Sequence, residues 1–181
     1  MASVWYDAGN SNFEQFTAAF PDEGPVDYDV LIQALSNGDV EARVAISEWL
    51  LDRGAKPSRV GVRNAATAAH VLVDQAWHDF ELEAPLLRRL LDLGVDVNAV
   101  APRSGTALQL LSGKFKYSDE ELSPFYDVFF ERPDLDLLKP GWRGFSTLQL
   151  ARNAEDSRAL LVTRMEQYLT DRGIAVPERE V

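Results

Sequence analysis

Hydrophobic residues recur at helical spacing through most of this sequence, and short polar or glycine-containing turns separate the runs that they form. The clearest run covers residues 86–93, where five leucines define one broad apolar face. Gly94 follows it, at a position where helices often end in the left-handed conformation that glycine adopts at little steric cost. The pattern predicts an amphipathic helix that ends at Gly94 and a second helix that begins at Thr106, after Gly105.

Further apolar runs predict helices on both sides of this junction. Ser11 and Glu14 have the spacing of a capping box, which predicts the start of a small N-terminal helix. The last predicted helix covers roughly residues 156–169, and the polar residues 170–181 after it are expected to be frayed. The apolar positions that define these helices are Phe13, Phe16 and Phe20; Val30, Leu31, Ala34 and Leu35; Val44, Ile46, Trp49, Leu50 and Leu51; Leu122, Phe125, Tyr126, Phe129 and Phe130; and Leu160, Leu161, Met165 and Tyr168.

Turn and helix-start residues repeat at a near-constant period. Thr67, Thr106 and Ser146 are separated by 39 and 40 positions, and Gly54 and Gly94 are separated by 40. A fixed period of this size is typical of proteins built from stacked structural repeats, in which each unit buries its apolar face against its neighbours.

The segments around these positions resemble the junctions between ankyrin repeats, in which a Gly-Ala-Asp-Val-Asn turn and a Thr-Pro-Leu-His helix start recur. Residues 90–98 read Leu-Leu-Asp-Leu-Gly-Val-Asp-Val-Asn, and the helix starts read Thr-Ala-Ala-His at 67–70 and Thr-Ala-Leu-Gln at 106–109. The usual ankyrin period is about 33 residues, so each unit here carries a surplus. We expect the segments 74–83 and 112–119, between the two helices of a repeat, to hold that surplus as loops.

The resemblance implies an all-α, ankyrin-like solenoid of about four helix-turn-helix repeats, preceded by an N-terminal capping helix. The capping helix and its connector are expected in residues 1–26, and a C-terminal tail in residues 170–181. The four repeats are expected at residues 27–64, 65–103, 104–143 and 144–169.

The composition narrows the classes of function. The formal net charge is -11, which argues against binding to nucleic acid or to an anionic membrane surface and favours a basic protein partner. The chain has no cysteine, no apolar run of membrane-spanning length and no recognisable signal peptide, so a cytoplasmic location is expected. Arginine outnumbers lysine, which points to a bacterial source. A charge that only keeps the protein soluble is the alternative interpretation.

The two histidines, His70 and His78, lack the spacing of a metal-binding pair, and no cofactor motif is present. The ankyrin resemblance implies that His70 is structural and ties a helix start to a neighbouring loop, a role that Gln109 and Gln149 can share. His78, Asp79, Glu81 and Glu83 form the densest polar cluster, which suggests either a solvated loop or, as a lesser alternative, a hydrolase site. We therefore expect no metal and no cofactor.

Aromatic residues in the predicted loops are the best candidates for contacts with a partner, because Trp, Tyr and Arg dominate protein interfaces. Some of these aromatics could instead fold back over the helices. The predicted binding residues are Asp74, Trp77, His78, Asp79, Phe80, Phe115, Tyr117, Asp119, Trp142 and Arg143.

Ankyrin-like proteins bind other proteins and lack catalytic sites, so the resemblance implies a non-catalytic protein–protein interaction module. Small acidic bacterial proteins of this type resemble immunity proteins, which bind and inhibit a cognate toxin. The alternatives are a regulatory scaffold that binds a cellular protein and, from another class, a hydrolase that uses residues 78–83.

Overall fold

A computed structural model describes residues 4–21, 26–59 and 65–179 as an all-α structure. The predicted connector after Pro21 and the end of the first predicted repeat at residue 64 lie outside these ranges. Within them, the backbone pairing outside helices and turns is a single antiparallel bridge between Ala101 and Gly105. The helices are α1 (Val4–Asn10), α2 (Phe13–Ala19), α3 (Tyr28–Leu35), α4 (Val40–Asp52), α5 (Ala68–Val73), α6 (Phe80–Asp92), α7 (Ala107–Ser112), α8 (Asp119–Phe130), α9 (Thr147–Asn153) and α10 (Glu155–Asp171), with a 3-10 turn at Trp142–Gly144.

The helices from α3 onward alternate between short and long, and they form two layers. The short helices α3, α5, α7 and α9 contact each other in that order. The long helices α4, α6, α8 and α10 do the same in the second layer. Because consecutive helices come from alternate layers, the chain runs as a stack of helix pairs with one continuous apolar core.

The N-terminal cap is a helix pair, where a single capping helix was predicted. Helix α1 packs on α3 and α2 packs on α4, so the cap continues both layers. The predicted capping box at Ser11 and Glu14 is wrong by one residue, because Asn12 and Gln15 exchange the two hydrogen bonds. Phe16 is fully buried and contacts Trp49 edge to face at 5.7 Å between ring centroids.

The predicted leucine-rich helix and its end are confirmed. Gly54 and Gly94 follow α4 and α6 with φ of +88° and +90°, which is the left-handed region that glycine favours. Leu90 and Leu108 are buried as predicted, whereas Leu93 is 45% exposed. Leu93 caps the C-terminus of α6 outside regular helical geometry, so its side chain leaves the apolar face.

The predicted frayed tail is wrong for its described part. Helix α10 continues to Asp171, and the Ile174 amide donates to the carbonyl oxygen of Leu169. Further on, Arg152 donates to the Pro177 carbonyl oxygen at 2.8 Å, and Arg179 forms an ion pair with Glu155. The segment thus returns to the last helix pair.

No helix in the described ranges has the length and apolar character needed to span a membrane.

Candidate protein-binding surface

A cavity of about 470 Å³ lies alongside α7 and brings three predicted binding residues together. Asp74, Phe115 and Trp142 all line it, although they come from three different connections between helices. We call this cavity the α7 groove. It is lined by Asp74, Arg103, Ser104, Gln109, Leu110, Ser112, Gly113, Lys114, Phe115, Trp142, Leu150 and Ala154.

The α7 groove has an apolar middle and polar ends. Leu110 and Leu150 contribute aliphatic side chains from the two short helices that border it, and Phe115 is 63% exposed beside them. Arg103 precedes α7, and Asp74 follows α5 at the end where the loop after α7 begins. Arg103 and the two leucines were not among the predicted binding residues. Leu110 and Leu150 lie beside the buried positions of their helices and are half-buried, and this spacing is the sequence signal for the flank of an apolar face.

Gln109 fixes the backbone of Trp142 at the edge of the groove. The Gln109 Oε1 atom accepts hydrogen bonds from the amides of Thr106 and Trp142, both at 3.0 Å. Its Nε2 atom donates to the Phe145 carbonyl oxygen at 2.8 Å. A Cβ atom at Gly141 would lie 2.1 Å from Gln109 Oε1, so glycine is required for this close approach.

His70 holds the preceding connection in the same way, as predicted. Its Nδ1 atom accepts from the Thr67 amide at 3.2 Å, which places the proton of the neutral ring on Nε2. Nε2 then donates to the Gly105 carbonyl oxygen at 2.9 Å. Burial lowers the pKa of His70, and the hydrogen bond to Gly105 only partly opposes that shift.

Two successive loops, residues 74–79 and 113–118, are tied together beside the groove. Lys114 Nζ donates to the Gln75 carbonyl oxygen at 2.7 Å, and Lys116 Nζ donates to that of Ala76. Lys116 Nζ also lies 3.7 Å from the ring centroid of Trp77, which is 69% exposed. These hydrogen bonds hold the two loops together, and Trp77 and Phe115 are exposed on them.

The predicted solvated loop at residues 78–83 is wrong for His78, Phe80 and Glu83, although Asp79 and Glu81 are exposed. Phe80 begins α6 and is buried, and the side chain of His78 is fully shielded from solvent. The His78 ring stacks on Phe80 at 4.7 Å between centroids, and Tyr117 packs edge to face against Phe80 at 4.9 Å. These three predicted binding residues therefore fold back over the helices and support the loops from within.

A buried ion-pair network explains why His78 points inward. Glu83 is fully buried, and its Oε1 atom accepts from Arg43 Nη1 at 2.5 Å. Its Oε2 atom lies 2.9 Å from His78 Nδ1 and accepts from the Asp79 amide at 3.1 Å. A signal for this network was present in the sequence, because Glu83 shares helical spacing with the buried Leu86, Leu87 and Leu90.

Asp119 is also buried, contrary to the prediction that it faces a partner. One carboxylate oxygen accepts from the Tyr126 hydroxyl at 2.8 Å, and the other accepts from the amides of Leu160 and Leu161 at 2.8 and 3.2 Å. Burial, followed by the bond to Asp119, raises the pKa of Tyr126. Asp119 therefore joins α8 to α10.

The predicted residues that stay exposed are Asp74, Trp77, Asp79, Phe115 and Arg143, with Trp142 partly exposed.

The exposed acidic residues at the starts of the long helices form a row. Glu41, Glu81 and Glu120 are each the second residue of their helix, and all three are exposed. Arg43–Glu83 contacts join α4 to α6 near their N-termini and Arg89–Asp52 contacts join them near their C-termini, so these helices are parallel. We call these three acidic residues the acidic edge. Across the described ranges, no group of three or more acidic or histidine side chains is arranged to hold a metal ion.

No protein-family model matches the sequence, and the comparison with curated proteins found no match. Among solved structures, the chain is similar to a functionally unknown protein from Leptotrichia buccalis C-1013-b. The TM-score is 0.75 at 20% sequence identity, and the match covers 96% of each chain. At that identity the similarity shows a shared fold and carries no statement about function.

Proposed function

We propose that this protein is an ankyrin-like, non-catalytic module that binds another protein. The ankyrin-like interpretation is supported by the stacked helix pairs, by the left-handed glycines after α4 and α6, and by the equivalent bonds of His70 and Gln109. Stacks of this kind present continuous surfaces along one layer of helices, which suits recognition of a second protein.

The α7 groove is the single observation that carries this proposal. It combines an apolar middle with the aromatic side chains of Trp142 and Phe115, and the exposed ring of Trp77 lies on an adjacent loop. Large aromatic side chains that border an apolar depression are typical anchors of protein interfaces. The glutamine and lysine hydrogen bonds described above hold these anchors in place before a partner arrives, which lowers the entropy cost of binding.

The more specific form of the proposal is an acidic bacterial immunity protein that binds and inhibits a cognate toxin. The net charge of -11 and the acidic edge favour a partner with a basic surface. Toxins that act on nucleic acids or nucleotides carry such surfaces, because their substrates are anionic. The module would act in the cytoplasm, without a cofactor, and would bind neither nucleic acid nor membranes.

Capture from the native host with the intact chain as bait tests the proposal, with Trp77→Ala and Trp142→Ala as the diagnostic variants. Each should weaken binding to the captured protein by at least about 2 kcal/mol if it is an anchor, with little change in melting temperature. Trp5→Ala is the matched control, because Trp5 is exposed on α1, far along the chain from the groove. Unchanged binding in both diagnostic variants would place the interface elsewhere.

A growth assay then separates a toxin from a cellular protein. If the captured partner is a toxin, its expression alone should arrest growth, and co-expression of this chain should restore growth. Co-expression with Trp142→Ala should restore it less well. A partner that is harmless when expressed alone would instead favour a regulatory scaffold.

A further inference from the structure

The charge inside the α7 groove is opposite in sign to the charge of the whole molecule. Arg103 lines the groove and is exposed, and Arg143 lies directly after Trp142, with its guanidinium 4.5 Å from the centre of the Trp142 ring. Across residues 4–21, 26–59 and 65–179, neither arginine has an ion-pair partner. By contrast, Arg88, Arg89 and Arg164 on the long helices and Arg132 just after α8 all pair with carboxylates.

The backbone at Arg143 is held in an unusual conformation. Its φ is +53°, a left-handed value that few residues other than glycine adopt and that costs free energy. The hydrogen bond from the Trp142 amide to Gln109 holds this turn against the groove. A guanidinium stacked on an indole ring keeps its N–H edges free to bind a planar anion, and carboxylate is the usual protein group of that shape.

The opposite end of the groove does not attract an anion in the same way. Asp74 lines that end, together with Lys114, whose ammonium group is committed to the Gln75 carbonyl oxygen. Burial lowers the pKa of Lys114, and the neighbouring Asp74 opposes that shift. The two charges offset each other, so the unpaired positive charge lies at the arginine end.

The length of α7, which borders the groove, indicates the size of a segment that can lie along it. Helix α7 has six residues and so extends about 9 Å. That distance corresponds to about three residues of extended chain. An apolar side chain over Leu110 and Leu150 and an acidic side chain at Arg103 and Arg143 can therefore belong to one short segment.

We propose that the α7 groove binds a short partner segment that carries a large apolar side chain next to a carboxylate, which Arg103 and Arg143 recognise. This inference rests on the proposed function, because it assumes that the groove faces a protein partner. The partner segment in the groove is then acidic, although the remainder of the partner's surface is expected to be basic.

Selection from a display library of short random peptides, with the intact protein as bait, tests this inference without the native partner. The selected peptides should place Asp or Glu within a few positions of Trp, Phe or Leu. They should bind the double variant Arg103→Glu/Arg143→Glu at least about tenfold more weakly than the parent. Lys56→Glu/Arg59→Glu is the matched control, because it makes the same change in net charge at exposed residues outside the groove and should leave peptide affinity unchanged.

Three results would overturn the inference: peptides without enriched acidic residues, no enriched peptides at all, or equal binding by the two double variants. Circular dichroism of each variant excludes loss of the fold as the cause of weaker binding. The proposed function fails separately, since it depends on whether Trp77→Ala and Trp142→Ala weaken binding to the protein captured from the host.

Discussion

His70 and Gln109 occupy equivalent positions in α5 and α7, and each bridges an equivalent pair of backbone groups in its own unit. Each accepts a hydrogen bond from the amide that precedes its helix and donates one to a carbonyl oxygen of the next connection. An amide and a neutral imidazole can both accept at one atom and donate at another. Only the imidazole can gain a proton near neutral pH, so the two residues differ in how they respond to acid.

We therefore predict that stability falls below pH 6.5 because of His70, whose pKa is lowered from its usual value of 6.5. Below that pH the unfolded chain binds a proton that the folded protein resists, so the free energy of unfolding decreases as pH falls. A proton on Nδ1 would also face the Thr67 amide that now donates to this atom. His70→Gln should fold and should lose stability less steeply over the acidic range, as measured by denaturant unfolding at several pH values.

The sign of that change is diagnostic, since Gln does not titrate. If parent and variant lose stability in parallel between neutral pH and the onset of acid unfolding, protonation of His70 does not contribute. The other histidine, His78, is present in both proteins, so a difference between them reports the change at His70 alone.

At the scale of elements, helix faces could be predicted from the sequence, whereas the paths of the loops could not. The 3.6-residue period places leucines such as Leu90 on one face whatever surrounds the helix, so α6 and its end at Gly94 were predicted correctly. The loop at residues 113–118 has no such period. Its shape depends on bonds to the loop before it, such as that from Lys114 to Gln75, between residues that are far apart in sequence.

The same dependence on distant contacts explains why only part of the candidate site could be predicted from the sequence. Trp77 and Phe115 were predicted to be exposed and are, whereas Phe80 was assigned to a loop and instead begins a helix. Composition cannot distinguish these aromatic residues, because Phe80 is buried through contacts with Tyr117 and Phe125, which are far from it in sequence. The buried pair between Arg43 and Glu83 is a second contact of this kind. A charged residue on a leucine-rich face is the sequence signal for such a pair, but it does not identify the partner.

Glu83→Gln should destabilise the protein by about 3–5 kcal/mol, because it leaves the buried guanidinium of Arg43 without a counter-charge. Glutamine has nearly the same shape, so the loss would report the charge and the hydrogen bonds of the carboxylate and not packing. Glu81→Gln is the matched control on the same helix, since Glu81 is exposed and should change stability by less than about 0.5 kcal/mol. Urea unfolding of both variants gives the comparison, and equal stabilities would show that the network contributes nothing.

At the scale of the whole molecule, ion pairs among the described residues neutralise some of the carboxylates and leave the acidic edge unpaired. Arginines on the long helices or just after them bridge neighbouring units, as in the pairs of Arg88 with Glu131 and of Arg132 with Asp92. These pairs are partly exposed, so each contributes little to stability. These pairs neutralise carboxylates along the long helices. The acidic edge at the helix starts lacks such pairing within the described ranges.

This distribution predicts that the acidic edge controls how fast a basic partner associates, while the α7 groove controls how long it stays. Charges that are solvated in the complex act mainly through long-range attraction before contact, so they change the association rate and its dependence on salt. Buried aromatic anchors act mainly on the dissociation rate. Glu81→Gln/Glu120→Gln should therefore slow association severalfold at low salt and leave the dissociation rate nearly unchanged, in surface plasmon resonance with the captured partner.

The control for net charge is Asp29→Asn/Asp134→Asn, which neutralises two exposed carboxylates outside the acidic edge. If steering depends on the acidic edge, this variant should associate almost as fast as the parent, although its net charge is the same as that of the edge variant. Because the Debye length is about 8 Å at physiological salt, the difference between the two variants should shrink as salt is added. Equal slowing in both variants would mean that total charge attracts the partner, and a change confined to dissociation would place the edge within the buried contact.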